Sequence, residues 1–265
     1  MHPILFRIGP ITVHTYGFFM AVGVGAAIWF LYAQAKKQGY ETGKLLDAAF
    51  WIILVSLLGA KLTLFFANLT YYLENPGELL SLIRSGGVFQ GGLTFGLIFA
   101  IIYFRKKKIP LWPTADLVGP AIALGHGFGR LGCFSAGCCY GRECLQPWAV
   151  VFQNEYAHGL TGIPLNIPLH PVQLYESALN FLNFLILVAI LKKRKFSGQV
   201  FCFYVINYSI IRFFTEFFRG DHDLQDYLIR GQTAFSSLSL SQFYCLVGLA
   251  AGLILYLVLK KRKSD

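Results

Sequence analysis

Seven apolar runs, at roughly 16–35, 48–69, 86–104, 115–136, 172–191, 199–218 and 240–259, decide which solvent this chain can fold in. Each is about 20 residues long, the length of a helix that crosses a hydrocarbon core of about 30 Å. Within such a core every backbone N–H and C=O must be paired inside the protein, so only helices and closed barrels span it. The runs lack the apolar–polar alternation of barrel strands, which leaves helices. Composition agrees, with 55% hydrophobic and only 14% charged residues, against about a quarter charged in a soluble domain. The expected fold is all-α: a polytopic membrane protein of seven transmembrane helices, forming a single domain over 1–265.

The distribution of charge orients it. The formal net charge is +10, but the basic residues do not form a groove for phosphodiesters, and no nucleic-acid partner is expected. They sit in short clusters at the ends of apolar runs: Lys36 and Lys37, Arg105–Lys108, Lys192–Lys195 and Lys260–Lys263. Cytoplasmic loops collect Lys and Arg. With the N-terminus outside and the C-terminus cytoplasmic, those clusters and Lys44 all fall on one side. The other side holds only Arg7, Arg84, Arg142, Arg219 and Arg230. Six or eight spans would break this alternation. The longer polar segments, 137–171 and 219–239, then lie outside. The start, MHPILFRIGP, has one arginine, two prolines and no clear small-residue cleavage site, so it does not read as a cleavable signal peptide.

Ionisable groups inside a bilayer are costly unless paired or watered, and so mark function by default. Here they are Lys61, His126, Arg130, Glu176, Arg212 and Glu216. In RFFTEFFRG, Arg212 and Glu216 are four residues apart and share a helix face, with Tyr208 one turn earlier and Arg219 one turn later. In GHGFGRLG, His126 and Arg130 have the same spacing. Two spans therefore each offer an arginine toward a common interior near the outer leaflet. The guanidinium fork is planar, always charged and bidentate, which suits a phosphate. In a membrane pocket that phosphate is most simply a phospholipid headgroup. The alternative is structural pairing, such as Arg212 with Glu216. LHPVQLYES places His170, Gln173, Tyr175 and Glu176 at the mouth of the fifth run. The glycines of SGGVFQGGLTFG and GHGFGRLG serve either close helix packing or backbone approach to a ligand.

These stretches resemble the prolipoprotein diacylglyceryl transferase family. GRLGCFSAGCCYGRE resembles its signature region, HPVQLYE its His-Pro-x-Gln-Leu-Tyr-Glu segment, YSIIRFFTEFFR its Tyr…Arg…Glu…Arg helix, and TYGFF its early Tyr-Gly. The order and spacing agree from Tyr16 to Arg219. The resemblance implies an enzyme of a bacterial inner (cytoplasmic) membrane that acts in lipoprotein maturation. Its substrates would be phosphatidylglycerol and the signal peptides of prolipoproteins, both met in the lipid bilayer. The diacylglyceryl group would pass to the lipobox cysteine thiol, releasing glycerol 1-phosphate. Arg130 and Arg212 match the phosphate-binding arginines; Tyr16, Gly141, Tyr208 and Glu216 match supporting positions. No metal and no organic cofactor is expected. Two departures stand out. Gln90, in Val88-Phe89-Gln90-Gly91-Gly92, replaces the family's histidine, and glutamine cannot take a proton. Cys133 stands where the family commonly has asparagine. His126, one turn before Arg130, offers a base in its place; the alternatives are a histidine that serves helix packing, and a thiol activated by the arginines alone.

Cys133, Cys138, Cys139 and Cys144 form C-x4-C-C-x4-C, which fits no standard zinc spacing. A structural disulfide, small side chains packed beneath the pocket, and a redox or metal role all remain open. The last would support an alternative reading, a diverged paralogue acting as a membrane thiol oxidoreductase or in another lipid-linked role. A transporter ranks below both, because no internal repeat is visible.

Overall fold

The structure is a computed structural model that describes residues 2–9, 11–84, 87–221, 227–229 and 237–262. Arg230 and much of the expected outer segment 219–239 lie outside the described residues. In chain order the elements are β1 (Ile4–Ile8), β2 (Ile11–His14), α1 (Thr15–Lys37), α2 (Thr42–Ala67), α3 (Leu69–Glu74), a 3₁₀ turn (Pro76–Glu78), α4 (Leu79–Arg84), α5 (Phe89–Lys106) and α6 (Leu111–Ala136). There follow β3 (Val150–Val151), α7 (Glu155–Thr161), β4 (Pro168–Leu169), α8 (Val172–Lys192), α9 (Gln199–Glu216), β5 (Tyr227–Ile229), β6 (Leu238–Ser239) and α10 (Leu240–Lys261). The strands form three antiparallel pairs, β1–β2, β3–β4 and β5–β6, which the apolar pattern does not foretell.

A helix stands at each of the seven apolar runs. Four of them, α1, α2, α8 and α10, are long and apolar enough to cross a membrane by length and composition. Helix α6 carries Asp116, His126 and Arg130, and α9 carries Arg212 and Glu216, while Glu176 lies on α8 and Lys61 on α2. The surface is apolar: Trp29, Phe50, Leu57 and Phe66 are each at least 60% exposed. Buried positions include Asp116, Gln173, Glu176, Asn180, Asn183 and Glu216. A soluble domain seldom buries so many polar groups. A membrane protein does so because lipid covers the apolar outside and polar cross-links join helices inside.

The chain divides into two compact units, Met1–Leu31 with Ala115–Asp265, and Tyr32–Thr114. In the smaller unit α2 packs along α5. A Cβ on Gly91 or Gly96 would meet Thr63 Oγ1 at 2.0 Å or Ser56 Oγ at 2.1 Å. These glycines therefore serve close helix packing. Lys61 donates from Nζ to the Leu82 carbonyl at 2.9 Å.

In the larger unit α9 packs against both α8 and α10. Ser177 Oγ of α8 donates to the Gly127 carbonyl of α6 at 2.8 Å. Asn207 Nδ2 of α9 donates to Asn183 Oδ1 of α8 at 2.9 Å. Asp116 of α6 accepts from the backbone N–H groups of Gly198 at 2.8 Å and Phe201 at 3.0 Å, and from Arg194 Nη1 at 3.4 Å. Its carboxylate thus caps α9 from another helix, pairing free N–H groups at the positive end of the helix dipole. The segment after α6 folds around Phe152, Ala157, Ile163 and Leu169, with Phe134 and Tyr140 packed against them.

Candidate functional site

Glu176, one turn into α8, is the hub. It is 2% exposed, and such a carboxylate persists only with partners. Arg130 Nε from α6 lies 2.5 Å from Glu176 Oε2, and Arg212 Nη1 from α9 lies 3.7 Å from Oε1. Thr215 Oγ1 donates to Oε1 at 3.1 Å. A second buried carboxylate, Glu216, pairs with Arg212, lies 4.0 Å from Arg219 Nε, and accepts from Ser239 Oγ at 2.8 Å. Ser239 also caps α10 through a reciprocal box with Gln242, so the start of α10 is locked to the site.

The structure therefore brings together Arg130, Arg212, Glu176, Glu216 and Arg219. His126 and Tyr208 join them. Arg130 Nε donates to His126 Nε2 at 3.2 Å, and the His126 and Tyr208 rings lie 5.4 Å apart. Since arginine only donates, His126 Nε2 is the acceptor and its lone pair is engaged. The contacts of Arg130 among the described residues use Nε, which leaves the two terminal amino groups of its fork for a ligand. The side chains of Arg130, Arg212 and Arg219 are 12–13% exposed, so each keeps some accessible surface.

Gly141 has a structural reason. Its neighbours weave three segments together: Arg142 N–H donates to the Phe218 carbonyl, His170 N–H to the Arg142 carbonyl, and Gly220 N–H to the Tyr140 carbonyl. A Cβ at Gly141 would lie 2.3 Å from the His170 carbonyl oxygen. This weave ties Arg219 to the end of α6. Arg219 is also clamped by Asp221, at 2.9 Å from Nε and 2.5 Å from Nη2. Burial works against its charge, but Asp221 outweighs burial and holds its pKa above the usual arginine range. His170 Nδ1 lies 3.2 Å from Tyr175 Oη, and its ring packs edge-on against Phe218. Burial, then nearby Arg142, push the His170 pKa below its usual value. Tyr16 is the second residue of α1, 41% exposed, and packs on α6, where a Cβ on Gly132 would meet its backbone oxygen at 3.2 Å. Gln90 belongs to the smaller unit, in the first turn of α5, where its carbonyl accepts from Thr94 Oγ1 at 2.8 Å.

All six cysteines are free thiols. Cys133 lies in the last turn of α6. Gly137 (φ 84°) and Cys139 (φ 58°) adopt left-handed backbone and fold the chain back, so Cys138 Sγ approaches the Cys133 carbonyl at 3.8 Å. The sulfurs of Cys133, Cys138 and Cys139 all lie within 4.8 Å of one another. Gln173 Nε2 fixes the turn by donating to the Cys138 carbonyl at 2.9 Å. Hydrogen bonds from the Cys133 and Cys138 thiols, then Arg219 and Arg130, hold the Cys139 thiol below the usual range. Those same sulfur contacts push Cys138 up. Cys144 stands apart, buried, its N–H donating to the Pro168 carbonyl.

Sequence reasoning missed Asp116, Thr215, Ser239 and the polar cross-links between α6, α8 and α9. An aspartate at the rim of an apolar run, opposite a basic cluster, was the available signal for the first. Side-chain hydroxyls carry none.

Residues 3–258 match the family described as prolipoprotein diacylglyceryl transferase. A phosphatidylglycerol–prolipoprotein diacylglyceryl transferase of Clostridium tetani is 36% identical over 264 residues, covering 100% of both chains. One from Geobacter sulfurreducens is 34% identical over 266 residues, covering 98% of this chain and 96% of its own. One from Clostridium perfringens is 32% identical over 266 residues, covering 100% and 98%. The oxidoreductase and transporter readings gain no support from these similarities.

Proposed function

Because the chain belongs to the prolipoprotein diacylglyceryl transferase family, we propose that it transfers the diacylglyceryl group of phosphatidylglycerol to the lipobox cysteine of prolipoproteins. The observation that carries this is the arrangement of Arg130, Arg212 and Arg219 around two buried carboxylates, with the fork of Arg130 open. The carboxylates make it affordable to hold three guanidinium groups in a low-dielectric site. The arginines then meet a phosphate whose charge grows as the C–O bond breaks. Donors aimed at developing charge in a dry site lower the barrier most. The sulfur forms a C–S bond, and the C–O bonding pair leaves with glycerol 1-phosphate.

In this reading Arg130 and Arg212 bind the phosphate, with Arg219 beside them. Glu176 and Glu216 position the arginines. Tyr208 and His126 line the pocket, and the engaged Nε2 of His126 orients Arg130 before any proton could be taken there. Tyr16, Gly141, His170, Gln173 and Tyr175 shape its outer rim. The protein is a bacterial membrane protein; the finer reading is a multi-pass protein of the inner membrane. It has seven spans, N-terminus outside and C-terminus cytoplasmic, and works as one domain, with 137–171 and 219–239 on the outer side. The basic clusters support that orientation. Signal peptides of prolipoproteins would enter from the bilayer.

The test supplies purified protein with vesicles containing either phosphatidylglycerol or phosphatidylethanolamine, and a lipobox peptide ending its motif in Cys or Ser. Glycerol phosphate release and thioether-lipid peptide should arise only with phosphatidylglycerol and Cys together. Equal glycerol phosphate release with the Ser peptide would mean a phospholipase C-type hydrolase, with water taking the diacylglyceryl group, and no product in any arm would end the transferase reading.

A further inference from the structure

The transferase reading leaves one chemical need unmet, since the attacking sulfur must be a thiolate. Gln90 cannot take the proton, and the lone pair of His126 Nε2 is already used by Arg130. The unassigned cysteines stand beside this gap. Cys133 is three residues after Arg130 on α6, which places it about one turn, or roughly 5 Å, further along the helix axis. The turn through Gly137 and Cys139 brings two more sulfurs over it.

We propose that Cys133, Cys138 and Cys139 bind a zinc ion through three thiolates, and that the lipobox thiol takes its fourth position. The inference rests on the transferase reading for its substrate, but not for its metal. Zinc is tetrahedral, and three protein ligands with one open position is the pattern of a reactive site. With Zn–S bonds of about 2.3 Å the sulfurs stand about 3.8 Å apart, so a triad already within 4.8 Å needs only small side-chain movements. Cys139 holds a left-handed φ of 58° that non-glycine residues seldom adopt. Strain of this kind persists at ligand clamps, and here it supplies the third sulfur. Gln173 anchors the turn from α8. Cys144, at a similar sequence spacing, is excluded because its sulfur does not join the cluster of the other three.

The chemistry balances without redox change. A thiol that coordinates a metal gives up its proton, here to water. Its sulfur then displaces glycerol phosphate from carbon, and the neutral thioether, a weaker ligand, leaves the zinc. Three thiolates on a divalent ion carry one negative charge.

The protein, untagged, reduced and in phosphatidylglycerol nanodiscs, is titrated with Co²⁺ and with Zn²⁺. Stoichiometric metal and the visible bands of tetrahedral thiolate cobalt are expected. The Cys133→Ser/Cys139→Ser protein should lose both, while Cys144→Ser keeps them; thermal unfolding checks that each variant is folded. A Cys lipobox peptide should shift the cobalt bands, and a Ser peptide should not. Removing the metal should slow transfer by about a hundredfold, the contribution of a good general base. No metal uptake by the reduced wild type, or equal uptake by the double variant, would overturn the proposal. So would full transfer by metal-free protein, which would leave the transferase reading intact. Metal binding and the peptide-dependent shift without any lipid transfer would instead keep the site and end the transferase reading.

Discussion

Glu176→Gln removes one charge from the centre of the site and changes little else in shape. In the wild type this carboxylate faces Arg130 at 2.5 Å and Arg212 at 3.7 Å. Removing one partner of a buried pair costs about 3–5 kcal/mol, because the other charge is left uncompensated. Two features moderate it. The amide oxygen still accepts from Thr215 Oγ1, and Glu216 still neutralises Arg212. The cost therefore sits near the lower bound, about 3 kcal/mol. For a chain of this size that lowers the unfolding midpoint by roughly 6–12 °C. Arg130 is then short of a counter-charge that a phosphate can supply. Thermal unfolding in detergent, with and without added phosphatidylglycerol, reads both effects. The lipid should raise the midpoint of the variant by more than that of the wild type. An unchanged midpoint, or an equal lipid shift in both proteins, would refute the placement of Glu176 as the counter-charge of the phosphate arginines.

Three further outcomes are expected. Gly141→Ala should destabilise by about 1–3 kcal/mol, the range for overpacking, and depress transfer, because its Cβ meets the His170 backbone. Gly159→Ala, in open space within α7, should stabilise by about 0.5–1 kcal/mol, the helix preference of alanine over glycine, and leave activity unchanged. Asp116→Asn should lower the midpoint by several degrees, since the amide serves the Gly198 and Phe201 N–H groups and Arg194 less well than a carboxylate; activity per folded molecule should persist. His170 is less basic folded than unfolded. The unfolded state thus binds more protons below the free value of about 6.5, and stability should fall as pH drops from there through the lower folded value, then level off. In His170→Asn that component of the pH dependence of unfolding should vanish.

Much of the site was legible because few residues can be charged inside an apolar run. Arg130, Arg212, Glu176 and Glu216 announced themselves by the cost of their position, and i, i+4 spacing paired Arg212 with Glu216. Spacing along one helix could not reveal that Glu176 would be the hub between α6 and α9, since that contact joins distant segments. The gathering of the cysteines was not legible, for the opposite reason. Zinc spacing rules assume ligands offered along a simple turn, whereas here a helix end and two left-handed residues fold Cys138 and Cys139 back onto Cys133. The strand pairs were invisible because strands of two to five residues are too short to show a period. Among the glycines of the third run, close contacts with Ser56 and Thr63 decide for packing.

The most direct measurement is the rate of thioether-lipid peptide formation in phosphatidylglycerol vesicles for the wild type, Arg130→Ala and Arg212→Ala, each confirmed folded. Both variants should lose product by at least about a hundredfold, as expected when donors to a developing charge are removed. Either variant turning over at the wild-type rate would contradict the claim that these two guanidinium groups hold the departing phosphate.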